Sequence, residues 1–254
     1  LYAGLLRETL ISLPGLTLCA GKADEFEEIL DNLIADNYQR LTSRTTQVEA
    51  PLYMAVVLQY YIDHGADAKK VWKKYGKIQK EILESYLPGV RREVTMHPNG
   101  LLWAQMDGVA LSWMNAYING RAVTERAGYQ VETNALWYNA ICFALEMEKR
   151  RGGDKAFVAK WTPIAQLVKD NYTKVFFNER LGYLADYVDD NGQNMEVRPN
   201  QLCAIWVKHS PVEEELAPMM LRVIDRELIT ARGLRTLSPR DAKYRGVYEG
   251  SQLD

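Results

Sequence analysis

Residues 50–63 read APLYMAVVLQYYID, and a second helical segment, residues 66–86, follows almost at once. The first segment is apolar on nearly every side, which is typical of a helix that is buried all round. The second carries its apolar residues on a single helical face, and they are Val71, Trp72, Tyr75, Ile78, Ile82 and Tyr86. Lysines and glutamates occupy the opposite face. The two segments therefore predict a helical hairpin with a buried first member and a half-exposed second member.

The same order of a buried helix and then an amphipathic helix recurs along the chain. The further pairs are RETLISLPGL (7–16) with ADEFEEILDNLI (23–34), residues 132–149 with 154–170, and residues 199–207 with 212–229. No stretch longer than five or six residues alternates as a strand would. Hairpins with inner first members and outer second members close into a two-layer (α/α)6 toroid.

We therefore expect an all-α fold in which residues 1–254 form one toroid domain. The alternative is an open α-solenoid, but the helix pairs share no sequence repeat and their connections are very unequal in length. The chain begins at Leu1 without a Met and stops at Asp254 in a polar stretch, so we expect a fragment of something longer.

The bulk composition excludes several functional classes. A formal net charge of -2 gives no electrostatic case for binding nucleic acid or an anionic membrane. No segment has the roughly 18 to 20 apolar residues of a membrane span, and no signal peptide is visible. Cys19, Cys142 and Cys203 are far apart and predict buried thiols in a reducing, cytoplasmic compartment. The three histidines are isolated, so neither a metal centre nor a cofactor is expected.

Polar residues cluster where the predicted inner helices begin. The four clusters are Arg7 with Glu8, Gln47 with Glu49, Glu132 with Asn134, and Arg198 with Asn200 and Gln201. Helix capping explains any one of them taken singly. Buried helices do not carry four such clusters unless the polar groups are paired or face a wet cavity. The sequence therefore predicts a polar cavity at the mouth of the ring.

Two long connections, residues 87–131 and 177–198, precede inner helices and are rich in Gly, Asn, Asp and aromatic residues. The aromatic residues near the polar clusters could stack on the faces of a sugar. Packing in the core is the alternative for each ring taken singly. These residues are Trp103, Trp113, Tyr129, Trp137, Tyr138, Tyr183, Tyr187 and Tyr248. No phosphate loop, nucleophile elbow or metal-binding helix motif is present. With these classes excluded, catalysis by carboxyl groups is the chemistry that remains. Glycoside hydrolysis needs only two suitably positioned carboxyl groups and no cofactor.

Six segments together resemble the C-terminal, amylo-α-1,6-glucosidase-type domain of glycogen debranching enzymes. They are RETLISLPGLTLCAG (7–21), VEAPLYMAVVLQYY (48–61), LSWMNAY (111–117), VETNALWYNAICFALE (131–146), VRPNQLCAIW (197–206) and LRTLSPRDAKYRGVYEG (234–250). The resemblance runs essentially from end to end. It implies a glucoamylase-like toroid that releases glucose from an α-1,6 branch of an α-glucan by an inverting mechanism.

The resemblance also assigns roles, with one departure at the expected general acid. The family has Asp after the Trp-Met pair, but here the residue is Asn115, and an amide cannot serve as that acid. A neighbouring carboxyl such as Asp107 or Glu132 takes the role, or the subgroup has altered or no activity, or the residue has been changed. The residues expected to face the sugar, or to hold those that do, are Arg7, Glu8, Glu49, Trp113, Glu132, Asn134, Trp137, Arg198, Asn200, Gln201, Arg235 and Tyr244; Glu249 is a further acidic candidate.

The resemblance further implies that the general base lies beyond Asp254, in a segment that the sequence lacks. The regions around Gly4 and Tyr38 are shorter than in the family. Three functions compete: a debranching hydrolase, a catalytically impaired glucan-binding homologue with Asn115 at the acid position, and a helical scaffold for protein partners. The polar starts of the inner helices count against the scaffold.

Overall fold

The computed structural model describes residues 6–247 and Gly250, so Tyr248 and Glu249 lie outside the described residues. Eight α-helices occur in this part of the chain, and they are α1 (Leu6–Leu16), α2 (Ala23–Thr42), α3 (Tyr53–Asp63), α4 (Ala68–Ser85), α5 (Val131–Arg151), α6 (Lys155–Phe176), α7 (Cys203–Trp206) and α8 (Ala217–Glu227). Short 3-10 turns cover Leu18–Ala20, Ala50–Leu52 and Pro199–Leu202. The observed helices lie where they were predicted, but α2 and α6 are longer than expected and α8 is shorter. The predicted helix at 199–207 is a 3-10 turn followed by the single-turn α7.

The helices form two layers. The odd-numbered helices pack on one another in succession, α1 on α3, α3 on α5 and α5 on α7. The first three even-numbered helices cover them: α2 packs on α1, α4 on α3 and α5, and α6 on α5. This alternation of inner and outer helices is the predicted α/α toroid-type fold, which is confirmed.

Local sequence explains the two grades of helix. In α3 the run from Met54 to Gln59 is buried on every side, whereas α4 buries one face and exposes its lysines. Two outer helices, α4 and α6, begin at capping carboxylates: Asp67 accepts from the Lys70 amide and Asp154 from the Phe157 amide, both at 2.9 Å. Such caps satisfy backbone donors that a helix start leaves unpaired.

The structure adds β-strands that the all-α expectation did not include. Eleven short strands are described: β1 (Val94–Met96), β2 (Leu102–Ala104), β3 (Tyr117–Ile118), β4 (Arg121–Ala122), β5 (Gly128–Gln130), β6 (Phe177–Asn178), β7 (Tyr183–Leu184), β8 (Tyr187–Asp189), β9 (Gly192–Asn194), β10 (Ile229–Thr230) and β11 (Gly233–Leu234). Each has two or three residues, too few for alternation to be recognised.

Both long connections contribute to one antiparallel sheet, in the order β1-β2-β5-β8-β9. The pair β5–β8 joins the connection before α5 to the one before α7, with Tyr129 opposite Val188. Gly128 makes this pairing possible, because a Cβ there would lie 2.3 Å from the Val188 carbonyl oxygen and its φ is +115°. The sheet therefore ties the two connections together beside the starts of the inner helices.

The cysteine prediction is wrong for Cys19. Its thiol is exposed after the C-terminal end of α1, whereas Cys142 and Cys203 are half-buried, and all three are free. The short turn from Leu18 to Ala20 brings Cys19 to the surface. Within the described residues, no helix is both long and apolar enough to cross a membrane.

Candidate active site

The N-terminal ends of α1, α3, α5 and α7 form what we call the mouth. Arg7 of α1 donates from Nη1 to Glu49 Oε1, before α3, at 3.0 Å. Burial raises the pKa of Glu49 to about 7, against the opposing charge of Arg7, and the charge of Glu132 at the start of α5 adds to the rise. Three of the four predicted polar clusters are thus brought together by the inner helices.

Three oxygen atoms at the mouth are buried without a hydrogen-bond donor, and they are Glu8 Oε2, Gln47 Oε1 and Glu49 Oε2. Arg7 joins two of these residues, because its Nη2 also donates to Glu8 Oε1 at 2.5 Å. Burial opposes ionisation of Glu8, but a hydrogen bond from its own backbone amide, together with Arg7 and Gln47, lowers its pKa overall. We call Glu8, Gln47 and Glu49 the acceptor cluster. A buried acceptor without a donor is costly, so this cluster suits a ligand that donates several hydrogen bonds.

A buried arginine that the sequence analysis did not single out links the next two parts of the mouth. Arg126 donates to both oxygens of Glu132, with Nη2 2.7 Å from Oε2. It also donates from Nε to Asp186 Oδ2 at 2.7 Å and from Nη2 to the Asp186 carbonyl at 2.9 Å. Burial disfavours its charge, but Asp186 and Glu132 raise the pKa of Arg126 above its ordinary value. Arg126 also has a positive φ of 51°, uncommon outside glycine.

Asp186, also missed by the sequence analysis, connects Arg126 to the fourth polar cluster. Its Oδ1 accepts from Asn200 Nδ2 at 2.7 Å, and Asn200 Oδ1 accepts from Trp113 Nε1 at 2.8 Å. Burial raises the pKa of Asp186, although Arg126 acts against the rise. Residues 111–117, which we call the Trp113 turn, are therefore tied to the start of α7.

Asn115 lies on this turn, two residues after Trp113. Its side chain is exposed, and its backbone N–H donates to the Trp113 carbonyl at 3.0 Å. The expected acid position is thus at the rim of the mouth, held in place by the bond between Trp113 and Asn200.

The two carboxyls predicted to replace that acid, Glu132 and Asp107, lie in very different surroundings. Both oxygens of Glu132 are occupied by Arg126, and its side chain is only 5% exposed. Asp107 is 94% exposed and reaches Arg121 at 3.8 Å. In the structure Glu132 therefore anchors a buried ion pair and Asp107 is a solvated surface charge, and the assignment of the acid to either one stays a prediction.

Three of the residues expected to face the sugar, or to hold those that do, are buried in the packed interior. Trp137 is fully buried, and its indole donates to the Gly100 carbonyl at 3.0 Å. Asn134 is fully buried and pairs with the backbone of Leu102. Gln201 accepts from the Leu184 amide at 3.3 Å. The first two contacts join α5 to the connection before it, and the third joins the turn before α7 to β7, so these residues have the supporting role that the resemblance also allowed.

The remaining predicted residues border a cleft of about 730 Å³ beside Arg126. Its walls are residues 123–127, β8, and residues 236–245; Arg198 and Tyr244 line it directly. Arg235 is half-buried, one residue before the lining begins. Arg198 donates to Glu196 Oε2 at 2.7 and 2.8 Å and to the Thr236 carbonyl at 3.1 Å. Over residues 6–247, no three His, Cys, Asp or Glu side chains form a group that could hold a metal ion.

Comparison with known proteins gives a family match and a structural neighbour. A sequence model described as amylo-alpha-1,6-glucosidase matches residues 2–254. No curated protein matches the chain. Among solved structures, a rhamnosidase from Klebsiella oxytoca with rhamnose bound is 10% identical, with a TM-score of 0.48. The match covers 72% of this chain and 31% of that one, so this chain spans about a third of that protein's length.

Proposed function

The chain belongs to the amylo-alpha-1,6-glucosidase family, and we propose that it is a glycoside hydrolase of the glycogen-debranching type. It releases glucose from α-1,6 branch points of glycogen or a related α-glucan, in the cytoplasm, and residues 1–254 belong to one toroid domain. The observation that carries this proposal is the acceptor cluster. Sugar hydroxyls are the donors that the unpaired oxygens of Glu8, Gln47 and Glu49 require.

In this proposal the mouth binds the terminal glucose and the rim supplies the chemistry. Inverting hydrolysis needs an acid that protonates the leaving oxygen and a base that activates water. Asn115 stands at the acid position on the exposed Trp113 turn, and the half-exposed Trp113 ring covers the bound sugar. Arg7, through its bonds to Glu8 and Glu49, fixes the acceptor oxygens in place.

A second function is favoured by the geometry of the carboxyls. The amide of Asn115 cannot donate and recover a proton as an acid does, and Glu132 is held through both oxygens by Arg126. A catalytically impaired homologue would keep the acceptor cluster and bind an α-glucan without cleaving it. Both functions require the same sugar-binding mouth, so turnover separates them.

The decisive experiment measures glucose release from a maltooligosaccharide that carries one α-1,6-linked glucose. The full-length protein is compared with its Asn115→Asp variant, and sugar binding to both is measured by calorimetry. Similar turnover by both supports the hydrolase with another acid. Turnover by the variant alone, with binding by both, supports the impaired homologue. A protein that neither binds the sugar nor releases glucose in either form overturns both functions.

A further inference from the structure

Among the residues that the structure describes, Glu125 is the one carboxyl lining the cleft that has neither an ion pair nor a hydrogen bond. The other two carboxyls of the lining are occupied. Glu196 Oε1 accepts from Lys243 Nζ at 2.6 Å. Both oxygens of Asp189 accept from Asn191, one from its backbone N–H at 2.8 Å and the other from Nδ2 at 3.3 Å. The half-buried side chain of Glu125 therefore has both oxygens free to give or take a proton.

The β3–β4 hairpin returns the chain to the residue next to Asn115. Its pairing continues beyond the two strands, because the Val123 backbone N–H donates to the Ala116 carbonyl at 2.9 Å. Backbones paired in this way lie about 4.8 Å apart. Asn115 comes one residue before Ala116, and Glu125 comes two residues after Val123. The segment that carries Glu125 therefore starts alongside the segment that carries the expected acid position.

Side-chain hydrogen bonds tie the other side of Glu125 to the same turn. The next residue, Arg126, donates from Nε to Asp186 Oδ2 at 2.7 Å. Asp186 Oδ1 accepts from Asn200 Nδ2 at 2.7 Å, and Asn200 Oδ1 accepts from Trp113 Nε1 at 2.8 Å. Glu125 is thus fixed between a backbone contact with the Trp113 turn and a chain of buried hydrogen bonds that ends on it.

This placement supplies at the rim the group that the turn itself lacks. The amide of Asn115 cannot donate a proton and recover it, whereas a carboxyl can. Glu132 is held through both oxygens by Arg126. Glu125 combines a free carboxyl, a place in the cleft wall and an anchored backbone.

We propose that Glu125 is the general acid of this chain, acting in place of the carboxyl that Asn115 does not have. The proposal rests on the proposed function, because it names a catalytic group of the same site. The Glu125 carboxyl gives its proton to the glycosidic oxygen as the bond between that oxygen and C1 of glucose breaks. Water attacks C1 and gives a proton to the second carboxylate that inverting hydrolysis requires. That carboxylate passes the proton to solvent, from which Glu125 is protonated again.

The test compares the full-length wild type with Glu125→Gln on two substrates, the maltooligosaccharide with one α-1,6-linked glucose and α-glucosyl fluoride. Glu125→Gln is expected to release glucose from the oligosaccharide about 10²–10⁴-fold more slowly, the contribution typical of one general acid. Its affinity for the oligosaccharide, measured by calorimetry, should be unchanged. Fluoride leaves without being protonated, so α-glucosyl fluoride should be hydrolysed at close to the wild-type rate. A merely structural role for Glu125 would slow both substrates alike.

Asp189→Asn is the matched control, because it removes another half-buried carboxyl of the same cleft whose oxygens already accept from Asn191. It is expected to hydrolyse both substrates at close to the wild-type rate. Glu125→Asp carries the test should Glu125→Gln fail to fold. It keeps a carboxyl but draws it back by one methylene, so oligosaccharide hydrolysis should slow about 10- to 100-fold while fluoride hydrolysis is kept.

The outcomes distinguish this assignment from the proposed function. Equal glucose release by the wild type and Glu125→Gln overturns Glu125 as the acid, as does an equal loss on both substrates. Loss of turnover in Asp107→Asn in place of Glu125→Gln moves the acid to Asp107. The debranching function survives each of these results. A wild type that releases no glucose also overturns Glu125 as the acid, but the debranching function then fails only if Asn115→Asp releases none either.

Discussion

Arg126 holds Glu132 through both carboxylate oxygens, and the same guanidinium holds Asp186 from the neighbouring connection. The arginine side chain is completely buried, and the two carboxylates are 5% and 1% exposed. One guanidinium therefore pairs with two buried carboxylates where the two long connections meet α5, and Arg198 Nε lies 3.9 Å from the second of them, Asp186.

Removing this cation leaves two buried carboxylates with too few partners. We expect Arg126→Met to lower the free energy of unfolding by about 3–5 kcal/mol, as when one partner of a buried pair is removed. Adding Glu132→Gln should restore part of the loss, since one uncompensated charge disappears. Urea unfolding measures both effects. Arg121→Met, which removes a 73% exposed arginine near Asp107, should cost under about 0.5 kcal/mol; equal losses for the two arginines would refute the buried network.

Glu49 should make stability depend on pH. Its pKa is about 7 in the folded protein against an ordinary 4.5, so the folded state retains a proton that the unfolded chain releases between these values. Stability from this group is present below about pH 4.5 and is lost as the pH rises to 7, by on the order of 3 kcal/mol. Relative to Glu49→Gln, the wild type should lose stability from pH 5 to 8 in urea unfolding. Glu25→Gln, a change at an exposed residue, should show the same dependence of unfolding free energy on pH as the wild type. If the curve for Glu49→Gln were parallel to that of the wild type, the prediction would be contradicted.

Gln47 should serve ligand binding rather than stability. Gln47→Leu removes a buried oxygen that has no donor together with the side chain whose hydrogen bond lowers the pKa of Glu8, so the net change in the unfolding free energy should be small. Glucose affinity should fall about 10-fold, because a sugar hydroxyl loses its acceptor. Gln79→Leu is the matched control: Gln79 is fully buried on α4 with both amide atoms unpaired, far along the chain from the mouth. A loss of glucose affinity in both variants would show that the acceptor cluster is not the sugar site.

Trp113 and Asn200 should be energetically coupled. Trp113→Phe keeps an aromatic ring but removes the N–H that donates to Asn200 at 2.8 Å. In a double-mutant cycle with Asn200→Ala, we expect a coupling energy of about 1 kcal/mol in the unfolding free energy. Trp103→Phe, whose N–H donates to Gln105 instead, should show no coupling with Asn200→Ala. Additive losses for Trp113 and Asn200 would mean that the turn is not tied to α7.

Gly128 should tolerate no side chain. Gly128→Ala brings a Cβ to 2.3 Å from the Val188 carbonyl oxygen, at a φ of +115°. Gly192 has a similar φ of +106°, but nothing lies within 4 Å of its Cβ position. Both alanines should carry the backbone strain of about 1–2 kcal/mol. Gly128→Ala should lose roughly 2 kcal/mol more, as typical of overpacking, in thermal or urea unfolding; equal losses would show that β5 and β8 are not in close contact.

The sequence predicted the helices well because burial leaves a periodic pattern over ten or more residues. The buried α3 and the amphipathic α4 show this directly. The strands were missed because a pair such as β6 and β7, two residues each, leaves no period to detect.

The sequence singled out the polar clusters of the candidate site but not the pairing between them. Polar residues at the starts of inner helices, such as Glu49 and Glu132, are conspicuous because their neighbours are apolar. Arg126 and Asp186 stand in AVTERAG (122–128) and YLADYVDD (183–190), where polar residues are ordinary. Their pairing depends on the fold bringing two connections together across 60 residues, which no local pattern records. The same limit explains why the burial of Trp137 was not predicted. Its neighbours in VETNALWYNA (131–140) are largely polar, whereas its side chain lies in the hydrophobic core.

The β5–β8 ladder has a consequence for how a ligand reaches the mouth. These strands come from different connections, and the Arg126–Asp186 pair joins the same two segments beside them. Neither connection can swing outward alone without breaking backbone hydrogen bonds and a buried ion pair. The two connections should therefore keep their positions when a ligand binds. A ligand should be selected by its fit to an opening that is already formed, with little rearrangement of the backbone.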